Sequence, residues 1–119
     1  MANNPTTPGS ELTLDTTKTP EAATVRCTGR INSGTSGQLQ STVRGLMPEN
    51  KVVVLDLTDV SHMDSSGLGA IVGLYISAKR QGCELKLINL NQRLKELFRI
   101  TKLGKIFEGH EDMLGYTPD

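Results

Sequence analysis

Two hydroxyls and a carboxylate stand side by side in Met63-Asp64-Ser65-Ser66-Gly67-Leu68-Gly69, the stretch of this chain with the most chemistry in it. A serine beside an aspartate at the start of a helix can do one of three things. It can cap the helix, because serine and aspartate oxygens accept hydrogen bonds from the free N–H groups of the first turn. It can carry a phosphoryl group, since anions are accommodated where those N–H groups and the positive end of the helix dipole meet. It can act as a nucleophile, with His62 as base and Asp64 behind it. The last reading fails on spacing. All three residues lie within a few positions of one another, whereas a triad needs a base held against the nucleophile and a third group behind the base. There is also no G-x-S-x-G elbow. No catalytic residue is therefore assigned. Ser65 is the expected phosphoacceptor, with Ser66 as second choice.

The other chemically able residues offer less. Cys27 and Cys83 form no C-x-x-C, and with His62 and His110 as the only histidines they supply no metal set. They read as buried, reduced thiols. Gly67, Gly69 and Gly73 follow G-x-G-x-x-x-G rather than the dinucleotide fingerprint G-x-G-x-x-G, and no acidic residue ends the next strand. No cofactor is expected. Lys95, Arg99 and Lys102 form a basic stripe that reads as a solvated helix face.

The elements that position Ser65 follow from periodicity. Glu11–Asp15 alternates as an edge strand does, and Ala23, Val25 and Cys27 alternate in a second strand ending near Gly29. The turn over Lys18–Glu21 makes the two an antiparallel pair. Thr35-Ser36-Gly37-Gln38 fits a capping box, with Leu39, Val43 and Leu46 following at helical spacing until Pro48. Val52-Val53-Val54-Leu55-Asp56-Leu57 is continuous and β-branched, as a strand buried on both faces is. A short loop over Asp59–Met63 then leads to a helix from about Ser66 to Gln81, closed by Gly82. A strand at Glu84–Ile88, a helix capped by Asn91 and carrying Leu94, Leu97, Phe98 and Thr101, a last strand at Ile106-Phe107 and a final helical turn over 110–115 complete the order. The expected fold is α/β: a mixed, mostly parallel sheet of four to five strands with crossover helices. Residues 1–10 read as a disordered tail and 11–115 as a single domain.

At 100° per residue the helix after Ser65 places Leu68, Ile71, Val72, Tyr75 and Ile76 on one side, facing a core. Gly69, Ala70, Gly73 and Ser77 lie opposite, with Leu74 beside them. A solvated face normally carries Glu, Lys and Gln, so this small, flat face reads as a docking surface. The residues expected to meet a partner are Asn32, Ser33, Met63, Asp64, Ser66, Gly67, Gly69, Gly73 and Leu74.

Composition narrows the partner. The chain has 119 residues, and its 13 basic and 13 acidic side chains cancel. Such a chain has no bulk electrostatic attraction to nucleic acid or an anionic membrane. With no tryptophan and four other aromatics, it also lacks stacking platforms for bases. The N-terminus has neither a basic flank nor an apolar run, and the protein is expected to be cytoplasmic. The partner should be another protein.

Asp56-Leu57-Thr58-Asp59-Val60-Ser61-His62-Met63-Asp64-Ser65-Ser66-Gly67-Leu68-Gly69 resembles the signature of STAS domains and, within them, of the bacterial anti-sigma factor antagonists. The likeness extends over roughly residues 11–115 and takes in Gly29 and the Leu97-Phe98 to Leu103 segment. The resemblance implies a partner that is both an anti-sigma factor and a serine kinase of the histidine-kinase-like ATPase class. The unphosphorylated chain would bind it and release the sigma factor. Phosphorylation of Ser65 would break the complex, and a PP2C-type phosphatase would restore it. The chain would then be substrate and binder rather than enzyme. STAS domains also serve as non-phosphorylated scaffolds or transport-system subunits, the second reading. One departure stands out: members often carry an acidic residue in a G-x-[ILV]-D pattern before the first helix, where Gly29-Arg30-Ile31-Asn32 puts asparagine.

Overall fold

The computed structural model of the protein describes residues 11–100; the proposed tail, the strand at Ile106-Phe107 and the turn over 110–115 lie outside them. The elements run β1 (Leu12–Lys18), β2 (Ala22–Ile31), α1 (Ser36–Leu46), β3 (Val52–Met63), α2 (Ser65–Gln81), β4 (Glu84–Ile88) and α3 (Gln92–Ile100). A short 3-10 turn over Met47–Glu49, with Pro48 in it, ends α1. The four described strands form one sheet in the order β1-β2-β3-β4. β1 pairs antiparallel with β2, while β2–β3 and β3–β4 are parallel, as the mixed and mostly parallel expectation required.

Alternation in the strands builds the core. Val25 and Cys27 of β2, Val53, Leu55 and Leu57 of β3, and Leu85 and Leu87 of β4 project to one side. There they meet Leu39 and Val43 of α1 and Leu68, Ile71 and Leu74 of α2 in one cluster. Cys27 and Cys83 are buried, free thiols. Burial pushes the Cys27 thiol up to about 12, so it stays protonated and inert.

Three local expectations need correction. The segment Asp59–Met63 is not a loop: β3 continues to Met63, with Val60 and Met63 turned into the core. The polar break at Asp56–Asp59 hid this continuation. Shifts in the β2–β3 register between Arg26 and Thr28 and between Gly29 and Arg30 let the ladder absorb it. The capping box does not form either. Thr35 makes no side-chain cap bond; its hydroxyl instead accepts from Asn32 N–H at 2.9 Å and donates to the Arg30 carbonyl at 2.9 Å. Gln38 reaches away to the Leu12 carbonyl. Finally, α2 begins at Ser65, one residue early, while Gly82 closes it in the left-handed region at φ 71° as expected.

Candidate functional site

The site is assembled where β3 runs into α2 and β2 runs into α1. Ile31 at the end of β2 lies opposite Met63 at the end of β3, so both strands deliver their following loops to one edge of the sheet. Asp64 N–H donates to the Ile31 carbonyl at 3.3 Å, bridging the two exits. Gly67 sits over the same carbonyl. A Cβ there would come within 2.4 Å of the Ile31 oxygen and 2.9 Å of Met63 Cγ, so only glycine allows the first turn of α2 to pack this close.

Asp64 is the N-cap of α2. Its Oδ1 accepts from Ser66 N–H at 2.9 Å and Gly67 N–H at 3.1 Å. The carboxylate thus satisfies two donors that a helix start leaves without partners. With the cap supplied by Asp64, the Ser65 and Ser66 hydroxyls are not needed for it, and both residues are exposed. His62 and Asp64 make no hydrogen bond to Ser65, and the Asp64 carboxylate is turned onto the helix backbone, so no base-and-nucleophile relay is assembled.

The residues expected to meet a partner divide in two. Ser33, Ser66 and Gly69 are exposed, and Asn32, Asp64 and Gly73 are half-buried on the same rim. Gly67, Met63 and Leu74, expected among the exposed residues, are instead buried, Leu74 completely. The physical reason is the phase of α2. Gly67, Ala70 and Ala78 turn inward with Leu68, Ile71 and Leu74, because small residues let the helix lie close on α1 and the sheet. Of the apolar residues that a plain helical count places in the core, Leu68 and Ile71 lie there, whereas Val72 and Ile76 turn outward. Ile76 is 49% exposed and Val72 half-buried. The outer ridge of α2 therefore runs Ser65, Gly69, Val72 and Ile76, an apolar strip leading away from the serine. Hydrophobicity alone sent Ile76 to the core; the inward turn of its small neighbours was the signal to read.

The loop after β2 is equally ordered. Asn32 Oδ1 accepts from Gly34 N–H at 2.9 Å, an Asx turn, and Asn32 Nδ2 donates to Glu11 Oε1 at 2.7 Å. Glu11 is placed by the β1–β2 pairing: its carbonyl accepts from Arg30 N–H. Nothing local in the sequence connects Glu11 to the rim. Among the described residues no cluster of side chains could hold a metal ion, and no helix is long and apolar enough to cross a membrane.

With this geometry in place, comparison with known proteins is informative. Residues 13–113 match the model of the STAS domain. The anti-sigma-B factor antagonist of Bacillus subtilis is 35% identical over 97 residues, which is 82% of this chain and 89% of that protein. Among solved structures, an anti-sigma factor antagonist from Mycobacterium paratuberculosis superposes with a TM-score of 0.72 at 19% identity, covering 83% of this chain and 84% of the other. The anti-sigma factor antagonist SpoIIAA in its unphosphorylated form gives 0.67 at 20% identity, over 79% of this chain and 83% of the other. Its phosphorylated form, from Bacillus, gives 0.63 at 20%, over 79% and 86%.

Proposed function

The chain belongs to the STAS domain family, and on that premise we propose that it is an anti-sigma factor antagonist whose Ser65 is the switch. In the unphosphorylated state the ridge of α2 and the rim at Asn32 and Ser33 dock on an anti-sigma factor and displace its sigma factor. The partner is also the serine kinase, of the histidine-kinase-like ATPase class, and its transfer of the γ-phosphoryl group of ATP to the Ser65 hydroxyl, with release of ADP, ends the complex. A PP2C-type phosphatase resets the chain, which is substrate and binder and not itself an enzyme. All of this takes place in the cytoplasm.

One observation carries the reading. Ser65 is exposed on the first turn of a helix in which Asp64 already takes the Ser66 and Gly67 N–H groups, at the head of an exposed apolar strip. A phosphoryl group adds about −1.5 to −2 charges there at neutral pH. Desolvating it against a surface shaped for a neutral hydroxyl costs several kcal/mol, or orders of magnitude in affinity. The adjacent Asp64 carboxylate adds to that cost.

The test uses the anti-sigma-B factor of Bacillus subtilis with magnesium and ATP. Intact mass should show one phosphoryl group gained by the wild type and none by Ser65→Ala. The alanine variant should keep its affinity, whereas Ser65→Asp should bind poorly. A wild type that gains no phosphate, or a Ser65→Ala variant that gains as much as wild type, would overturn the assignment.

A further inference from the structure

The docking rim has a neutral residue at Asn32, yet a fixed carboxylate stands beside it. Glu11 enters from the residue before β1, and its Oε1 lies 2.7 Å from Asn32 Nδ2. Glu11 is exposed, and the ion pairs among the described residues, Lys18–Glu49, Arg26–Asp59 and Arg99–Glu96, leave it out. Even Arg30, whose N–H binds the Glu11 carbonyl, does not pair with its carboxylate.

Two features distinguish this group from an ordinary surface glutamate. Such a side chain normally keeps its rotamer freedom, which must be given up when a partner binds it. Here the Asn32 amide holds it, and Asn32 is held in turn by the Gly34 N–H and, through its own N–H, by the buried Thr35 hydroxyl. The carboxylate is therefore preorganised. The loop that holds it is also tied to the Ser65 helix. The Ile31 carbonyl accepts from Asp64 N–H and underlies Gly67, so the loop that positions Glu11 is bonded to the first turn of the Ser65 helix.

We propose that Glu11, positioned by Asn32, is a partner-contact residue that receives an arginine or lysine of the anti-sigma factor beside Ser65. This rests on the antagonist reading above and deepens it by naming the charge that fixes the partner's register. The carboxylate comes from β1 and not from the loop itself, and Asn32 serves to aim it. A rim carboxylate of this kind acts on association rate, salt dependence and choice of partner.

Isosteric changes test it against a merely structural clasp. Glu11→Gln keeps an oxygen to accept from Asn32 and removes only the charge. Binding of the anti-sigma-B factor of Bacillus subtilis is measured by calorimetry or surface resonance across a salt series, with thermal melts of each free variant. Glu11→Gln should melt as wild type does, bind roughly tenfold more weakly at low salt, and show a flatter salt dependence. The double variant Glu11→Gln with Asn32→Asp exchanges donor and acceptor across the same hydrogen bond and moves the carboxylate by one contact; it should recover most of the lost affinity. If Glu11→Gln binds with wild-type affinity and salt dependence, Glu11 is a clasp and the proposal falls while the antagonist reading stands. If the wild type itself does not bind, the antagonist reading falls and takes this inference with it.

Discussion

Two glycines two residues apart should respond in opposite directions to the same substitution. The Cβ of Gly67→Ala would meet the Ile31 carbonyl oxygen at 2.4 Å, Ile31 Cγ2 at 2.8 Å and Met63 Cγ at 2.9 Å. The two side-chain atoms can give way, but the carbonyl is backbone at the end of β2 and already accepts from Asp64 N–H. Relief therefore requires α2 to lift from the sheet, which places the cost in the range of about 1–3 kcal/mol known for overpacked cores. At about 4–8 °C per kcal/mol for a domain of this size, the melting temperature should fall by roughly 5–20 °C. Gly69→Ala meets nothing within 4 Å on an exposed helical position, so alanine's better helix propensity should stabilise the domain by about 0.5–1 kcal/mol and raise the melting temperature by a few degrees.

Thermal and urea unfolding followed by circular dichroism read both effects, and equal m-values would show that the folded states remain equally compact. The pair is its own control, since chemistry and element are shared and only the surroundings differ. A Gly67→Ala variant as stable as wild type would refute the close approach of α2 to Ile31 and with it the placement of Ser65. Gly69→Ala should separate stability from function: its methyl stands on the outer ridge, so the better-folded variant should bind the anti-sigma factor less well.

Leu74→Ala should cost about 2–5 kcal/mol in urea unfolding, because Leu74 is completely buried; were it part of the docking surface, affinity would drop with stability unchanged. Acid stability should depend on Asp56. Burial raises its pKa, but hydrogen bonds from Thr58 N–H, Thr58 Oγ1 and Asn89 Nδ2, with Arg26 nearby, outweigh this and hold it below the ordinary carboxylate range. The carboxylate thus adds stability that is complete above the unfolded-state pKa and lost as the pH falls through the folded one. Asp56→Asn should flatten the acid limb of a stability–pH profile from about pH 4, the ordinary carboxylate range, downward, and an unchanged limb would show that these bonds do not matter.

Much of this molecule is legible in its sequence because its strands and helices carry different periods. The alternation through Val25 and Cys27 and the Asn91 cap, whose Oδ1 accepts from Leu94 N–H at 2.9 Å, state local facts that the fold keeps, and Val52–Leu57 is a strand between two parallel neighbours, though buried on one face and half-buried on the other rather than buried on both. Where tertiary contacts overrode local pattern, the sequence misleads. Thr35 and Gln38 match a capping box, yet their side chains find partners in the Arg30 and Leu12 carbonyls, across the fold. A count of hydrophobicity places Leu68 and Ile71 of α2 correctly but not Ile76, because it gives no weight to Gly67, Ala70 and Ala78. Those are the residues that set how close the helix can come, and so which side of it faces inward. Glu11 was invisible for a simpler reason: it reaches Asn32 only through strand pairing, across 21 positions of sequence.

The division of labour at the head of α2 explains why a modification there could switch binding and leave the fold alone. A free helix N-terminus would draw a phosphoryl group onto its own N–H donors, partly neutralising it and reshaping the first turn. Here Asp64 already takes the N–H groups of Ser66 and Gly67, and the packing of Gly67 on Ile31 fixes the turn from beneath. On the reading proposed above, a phosphoryl group on Ser65 would have to displace the Asp64 carboxylate to gain those two bonds, and its charge would otherwise remain on the surface proposed to meet the partner. The carboxylate one residue before the serine thus has two effects that work together. It caps the helix, and on the proposed reading it would leave an added charge on the surface offered to the partner.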